Sequence, residues 1–286
     1  MTTKHLNPAD IRERIVRPDV DLDPHRALRY TIATMVNDIA HYEAMRASLR
    51  AGGFSGDCEF LYVDNTRGDQ ICAYSGLNAL LGEAQGEYVI LCHQDIRLLT
   101  ERRRDLDRCL AGLDTVDPTW ALAGNAGGVS PGVLALRITD PHGADRRIGE
   151  FPQRVSSLDE NFIVVRRAAR IGFSRDLSGF HFYGADICLN ADIAGWNAYV
   201  IDFHLAHLSA GKKDDTFTTM ERAFRAKWSR ALRPRWLQTT CSLLRLSGDQ
   251  IGGLAGRLVE RPMRSISRRL PRAQGWTAPG ARKDAV

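Results

Sequence analysis

The sequence predicts an α/β protein built on a doubly wound, mainly parallel sheet. Between Leu28 and Asp95, short apolar runs that suit buried strands alternate with segments of helical spacing. One of these runs, Tyr88–Cys92, is apolar throughout and rich in aromatic and branched residues, as a strand covered on both faces must be. The first three runs also stop at polar residues, Asn37-Asp38, Asp64-Asn65 and His93-Gln94-Asp95. In open α/β sheets the crevice at the carboxyl ends of the strands is where ligands bind.

Residues 1–27 are polar, with prolines and scattered charge, and read as an irregular N-terminal arm. Leu28–Val36 is the first strand. Ile39–Leu49 carries apolar residues at 39, 42, 45 and 49, close to helical spacing, and Gly52-Gly53 ends the helix. Glu59–Val63 is the second strand, and Gln70–Ala84 is helical by pattern. No Gly-x-Gly-x-x-Gly follows the first strand, which argues against a dehydrogenase-type dinucleotide fold. Arg97–Asp114 reads as a highly charged amphipathic helix, and the sheet resumes at Trp120–Gly128. Val133–Ile138 and Phe162–Val165 are further strands. The polar stretch between them, Thr139–Glu160, is long for a loop, and long ordered loops are often functional. It is expected to cover the substrate. Thr216–Leu232 is a helix with Phe217, Met220, Phe224 and Trp228 at helical spacing. The expected organisation is an arm (1–27), a main domain (28–211), a helical basic extension (212–270) and a disordered tail (271–286).

The 286 residues, 44% hydrophobic and 26% charged, are ordinary for a soluble globular protein and ample for a sizeable core. The N-terminus is polar and charged, unlike a signal peptide. The longest uncharged run, Pro118–Leu136, is broken by glycines and prolines and does not suit a membrane span. Six cysteines show no Cys-x-x-Cys pair and no zinc-type spacing, as expected of thiols in the reducing cytoplasm. Charge is lopsided: Phe217–Val286 holds 15 Lys/Arg against 4 Asp/Glu, a net of +11, whereas the whole chain is +5. Such a basic segment suits a lipid surface or solvent. Nucleic acid is not expected as a partner, because the arginines are interleaved with leucines rather than with stacking aromatics.

Taken alone, Asp38, Asp64 and Asp186 read as helix caps. In context they match something. Asn78-x5-Ala84-x-Gly86-Glu87-x-Val89-Ile90, ending in His93-x-Asp95, resembles the central motif of family 2 glycosyltransferases of the GT-A fold, in a bacterial subgroup with His-Gln-Asp. Val63-Asp64-Asn65-Thr66 with Asp69 is similar to the family's nucleoside-contacting turn. Gly184-Ala185-Asp186-Ile187-Cys188-Leu189 followed by Ala194-Gly195-Trp196 resembles its catalytic-base element, and Ile201–Ser209 its closing strand-then-histidine.

The resemblance covers roughly residues 28–211 and implies a GT-A catalytic domain. Its reaction would be inverting, metal-dependent hexosyl transfer from a nucleotide-sugar donor, in cell-surface glycan or polysaccharide synthesis. It implies Asp186 as general base and Asp95 with His207 as ligands of Mn²⁺ or Mg²⁺. Asn37, Asp38, Asp64, Asn65, Asn78 and His93 would lie on the donor nucleotide, and Asp159, Glu160, Tyr183 and Trp196 toward a glycan or lipid-linked acceptor. The chemistry wants these types: a divalent ion neutralises the leaving diphosphate, and a carboxylate takes the acceptor proton. An imidazole ligand favours Mn²⁺ over Mg²⁺. The basic extension would place the enzyme peripherally at the inner face of the membrane. His93 stands where the family has an Asp, and Ala185 where it has a Glu. A non-catalytic nucleotide- or carbohydrate-binding scaffold of the same fold would carry such departures. A nucleotidyltransferase is the other alternative, although its basic glycine-rich loop is missing after Val36.

Overall fold

In the computed structural model, which describes residues 8–18, 22–23, 25–211, 215–238, 243–248 and 258, the apolar runs become strands and the segments of helical spacing become helices. The expected tail, 271–286, lies outside the described residues. The chain begins with helix α1 (Pro8–Arg12), strand β1 (Ile15–Val16), β2 (Tyr30–Val36), α2 (Ile39–Ala51), β3 (Cys58–Asp64), α3 (Ala73–Glu83) and β4 (Tyr88–Cys92). It continues through β5 (Ile96–Leu98), α4 (Arg103–Val116), β6 (Trp120–Gly124), β7 (Ala126–Ser130), β8 (Val133–Asp140) and β9 (Gly143–Ile148). Then come β10 (Gln153–Val155), β11 (Ser157–Leu158), β12 (Phe162–Arg166), α5 (Tyr183–Ile193), β13 (Asn197–Val200) and β14 (Leu205–His207). Helix α6 (Asp215–Ala231) and strands β15 (Arg235–Gln238) and β16 (Leu243–Leu246) complete the described elements.

The fold class is α/β. Eight strands form a mixed sheet in the order β1-β3-β2-β4-β12-β6-β13-β10. Strand β2 is parallel to both of its neighbours, with Val36 opposite Asp64 and Ala33 opposite Leu91. The carboxyl ends of β2, β3 and β4 therefore open side by side. The sheet departs from parallel at β12, which runs antiparallel between β4 and β6 with Phe162 opposite Cys92. That reversal carries the residues just before β12 to the same open edge. Alternate residues of β4 serve two cores, as the period of a strand requires. Val89 and Leu91 pack with Tyr74, Leu77 and Ile187 from α3 and α5, while Ile90 and Cys92 pack with Met45, Leu49, Leu106 and Leu110 from α2 and α4. Burying each large apolar side chain contributes about 1.5–3 kcal/mol, so a strand buried on both faces is a fixed platform for the polar residues at its carboxyl end.

A second sheet, in the order β11-β7-β8-β14-β5, also carries β9 on β8. Its β14 is antiparallel to β5, with His207 opposite Ile96. Two expectations about loops are corrected here. The stretch Thr139–Glu160 is not a covering loop: it holds the end of β8, the hairpin strand β9, and β10 and β11. Strand β9 shows solvent on both faces, so its sequence lacks the apolar alternation that marks a half-buried strand. The arm is not irregular throughout either. Residue Ile11 of α1 is buried, β1 pairs with β3, and the Arg14 guanidinium donates to the backbone carbonyls of Asp64 and Asp69.

The chain divides into Met1–Phe224 and Arg225–Val286. The division falls beyond the expected boundary at 211 because Phe217 and Phe224 pack on the Phe182 ring and Met220 packs on the core. Within the second unit, the segment expected as a helical basic extension also holds the β15–β16 hairpin, in which Arg245 lies opposite and over Trp236. Pro234 cannot extend a helix, and such a cross-strand pair favours the hairpin.

Candidate active site

The site is built where β4 ends. Strand β4 hands over to His93-Gln94-Asp95, and the His93 N–H donates to the Asn161 carbonyl just before β12. On the other side, the β14–β5 register lays His207 beside Asp95, and the Leu208 N–H donates to the Asp95 carbonyl. Three side chains from two segments thus converge. His93 Nδ1 is 3.2 Å from His207 Nε2 and 4.0 Å from Asp95 Oδ1, and His207 Nε2 is 3.4 Å from Asp95 Oδ1. One ligand atom from each of the three lies within 4.8 Å of the other two. All three are half-buried, and His93 and Asp95 line a cleft of about 690 Å³ together with Asn37, Asn65, Phe180, Tyr183 and Ser209.

The electrostatics are those of a tight cluster. Burial works to raise the Asp95 pKa, but hydrogen bonds from His207 and Ser209 and the charge of His207 outweigh it and hold the carboxylate well below its usual range. His207 is likewise opposed by burial yet raised by Asp95. His93 is lowered by burial and by His207, both of which favour the neutral ring. His93 Nε2 lies 2.7 Å from Tyr183 Oη, and that hydroxyl donates to the Glu160 carbonyl at 3.3 Å. Burial raises Tyr183 well above its ordinary value, so the phenol stays protonated.

The structure brings some of the expected residues to this cleft and not others. Asn37 lines it, hydrogen-bonded to the Gln94 side chain, which also accepts from the backbone N–H groups of Asn37 and Asp38. Asn65 lines it with its amide closed on the backbone of Ile71. Asp64 is half-buried and accepts from the Thr66 hydroxyl and N–H, holding the same turn. Asp38 caps α2 by accepting from the His41 N–H. Asp159, exposed at the start of β12, has Oδ1 held by Asn161, and its charge acts on both His93 and His207. Glu160 accepts from the Gly184 N–H at the head of α5, and burial pushes it up to about 8.

Three of the expected residues are not brought to the cleft. Asp186 is fully buried: Oδ2 accepts from the Ser174 N–H at 2.8 Å and Asn190 at 3.2 Å, and Oδ1 from the Ser174 hydroxyl at 2.7 Å. With 0% exposure, this carboxylate is closed off from the cleft and ties α5 to the preceding loop. Asn78 spends both amide atoms on the backbone of Phe173, away from the cleft. Trp196 packs against the core beyond α5. Sequence reasoning did not single out Gln94, Phe180 and Ser209. For Gln94 the signal was its place inside the motif.

No protein-family model matches the chain. One curated relative, the ATP synthase subunits region ORF 6 of Fuscovulum blasticum, is 37% identical over 228 residues, covering 77% of this chain and 92% of the relative. The chain belongs to the family of that ORF 6 protein. The relative's name gives a genomic position and states no chemistry. Among solved structures, the mannosyltransferase PcManGT from Pyrobaculum calidifontis with GDP-Man and Mn²⁺ is similar at 16% identity and a TM-score of 0.43, over 74% of this chain and 67% of that one. GalNAc-T7 with UDP, GalNAc and Mn²⁺ is 8% identical with a TM-score of 0.45, over 65% and 44%. TarS 1-349 of S. aureus with UDP-GlcNAc is 11% identical with a TM-score of 0.42, over 65% and 60%. These likenesses are distant, and the side chains of the site carry the functional argument.

Proposed function

We propose that the chain is a metal-dependent glycosyltransferase of the GT-A kind, moving a sugar from a nucleoside diphosphate to an acceptor hydroxyl with inversion. The observation that carries this is the convergence of His93, Asp95 and His207 at the carboxyl edge of parallel strands, beside an open cleft. Two imidazoles and one carboxylate gathered beside the cleft would hold a divalent ion, to which phosphate oxygens of the donor would add. That donor set fits a first-row divalent ion and favours Mn²⁺ over Mg²⁺. When bound, the ion supplies Lewis-acid neutralisation of the leaving diphosphate.

The chain's own residues do the rest. Asn37, at the end of β2, presents a polar group to the nucleotide side of the cleft, while Asn65, closed on the Ile71 backbone, and the Asp64 turn shape the neighbouring strand end. Because Asp186 is sealed away, deprotonation of the acceptor falls to Asp159, which is exposed, oriented by Asn161 and near enough to the histidine pair for its charge to act on both. Glu160 holds the head of α5 rather than the acceptor. The acceptor class that suits the net +11 of Phe217–Val286 is a glycan intermediate on an anionic lipid surface, as in polysaccharide synthesis at the cytoplasmic face of a membrane. Among the described residues no helix is long and apolar enough to cross a membrane.

A second reading is favoured by one feature. Gly184 has no room for a side chain, since a Cβ there would meet the Leu158 carbonyl at 2.3 Å, and Asp186 is enclosed. The head of α5 therefore offers no carboxylate to the cleft, as a donor-binding scaffold without turnover would have it. Release of nucleoside diphosphate from a panel of UDP- and GDP-sugars, with Mn²⁺ and with chelator, tests the proposal. Metal-dependent release supports the enzyme, binding without release supports the scaffold, and no binding by any donor refutes both.

A further inference from the structure

His93 has two ring nitrogens, and their surroundings differ in kind. Nδ1 faces Asp95 and His207, whereas Nε2 faces the Tyr183 hydroxyl at 2.7 Å. That hydroxyl has one proton, and beyond it lies the Glu160 backbone carbonyl at 3.3 Å. A carbonyl accepts and never donates, so it fixes the direction of the whole chain. The Tyr183 O–H is drawn to Glu160, its lone pairs turn to His93, and a neutral His93 meets them only with a proton on Nε2. Nδ1 is then left as a lone pair aimed at the cluster.

We propose that Tyr183 is a positioning residue that locks His93 in the Nε2–H tautomer, so that Nδ1 is the ligand atom for a divalent cation shared with Asp95 and His207. This deepens the proposed function and rests on its metal site. It also reassigns Tyr183 from the acceptor side to the support of a ligand, where a histidine's second nitrogen ordinarily finds a polar partner that fixes its tautomer.

The surroundings are built to hold this geometry. Tyr183 is 6% exposed and wedged edge-on against Tyr74 and Phe173, so its ring is not free to turn away. Residue Phe182 before it takes a left-handed backbone (φ 65°), a conformation that a bulky residue adopts at an energetic cost and that sets the entry into α5. Gly184 after it lets the first turn of α5 press onto Leu158 and Glu160. The same segment grips His93 twice: the Asn161 carbonyl takes its backbone N–H, and the Glu160 carbonyl ends its side-chain relay.

The test uses the full-length chain. Nitrogen-15 shifts of the labelled histidines give the His93 tautomer in the metal-free protein, and calorimetric titration with Mn²⁺ alone gives the affinity. The wild type is expected to show Nε2–H at His93. Tyr183→Phe keeps the ring contacts and is expected to mix the tautomers and weaken Mn²⁺ about 10- to 100-fold, the usual effect of losing such a partner. Tyr74→Phe is the control: it removes a nearby buried hydroxyl, bonded to the His181 carbonyl, and is expected to leave both readouts unchanged. A wild-type His93 protonated on Nδ1, or a Tyr183→Phe protein with unaltered tautomer and affinity, overturns the proposal. If the wild type binds no Mn²⁺, the proposed function and the ligand half of this assignment fall together, while the shifts still decide the positioning half.

Discussion

Replacing Asp186 separates a structural carboxylate from a catalytic one. In the structure its oxygens accept twice from Ser174 and once from Asn190, with no exposure to solvent. Asp186→Ala leaves the buried Ser174 N–H without that acceptor, at a cost of about 1–3 kcal/mol, and removes hydrogen bonds to a charged group worth about 1.5–3 kcal/mol each before relaxation. Asn190 keeps the Gly172 carbonyl, which limits the loss, so a total of about 2–5 kcal/mol is expected. At roughly 2–4 °C per kcal/mol for a domain of this size, the melting temperature falls by about 5–20 °C. Asp186→Asn should cost far less. Its amide oxygen can take the Ser174 and Asn190 N–H groups, and its NH₂ can point at the Ser174 hydroxyl, which turns to accept. Calorimetric melting of the three proteins, together with donor turnover in the folded fraction, is the assay. An Asp186→Asn protein with unchanged melting and turnover lowered by about two to four orders of magnitude, the worth of a positioned base, would refute the reasoning and restore Asp186 as the base.

The same geometry sets other outcomes. Gly184→Ala should destabilise by about 1–3 kcal/mol, because the clash with the Leu158 carbonyl outweighs the better helix propensity of Ala, and it should also weaken Mn²⁺ in titration by displacing Tyr183. Glu160 is raised by burial from 4.5 to about 8, so its contribution to stability is complete below 4.5 and is lost as pH rises toward 8. Glu160→Gln should therefore flatten the fall of the melting temperature between pH 5 and 8, and an unchanged slope contradicts the assignment. Truncation after Arg233 should abolish flotation with anionic vesicles at low salt, and equal recovery of the full and shortened chains would remove the proposed membrane contact.

Much of this architecture is legible in the sequence where the signal is local. Strands β2, β3 and β4 are apolar runs ended by polar residues, and the His93–Asp95 step sits where a ligand site belongs. The features that escape a sequence reading depend on partners far along the chain. Asp186 looks like a reactive carboxylate until the loop at Ser174 closes over it, and Asn78 looks free until Phe173, 95 residues away, takes both ends of its amide. Strand β9 lacks apolar alternation because both its faces meet water. The Tyr183 relay depends on β12 running antiparallel to β4, a register that no short pattern encodes.

In the proposed function, His93, Asp95 and His207 hold a divalent ion that a nucleoside diphosphate shares. That sharing is tested most directly by melting the full chain with UDP and with GDP, each with Mn²⁺ and with chelator, beside Asp95→Ala. At one hundred times its dissociation constant, a ligand adds about 2.7 kcal/mol of stability. An upward shift of about 5–11 °C is expected for at least one nucleotide, present only with Mn²⁺ and absent in Asp95→Ala. A shift of equal size in chelator, or one retained by Asp95→Ala, would contradict the shared ion.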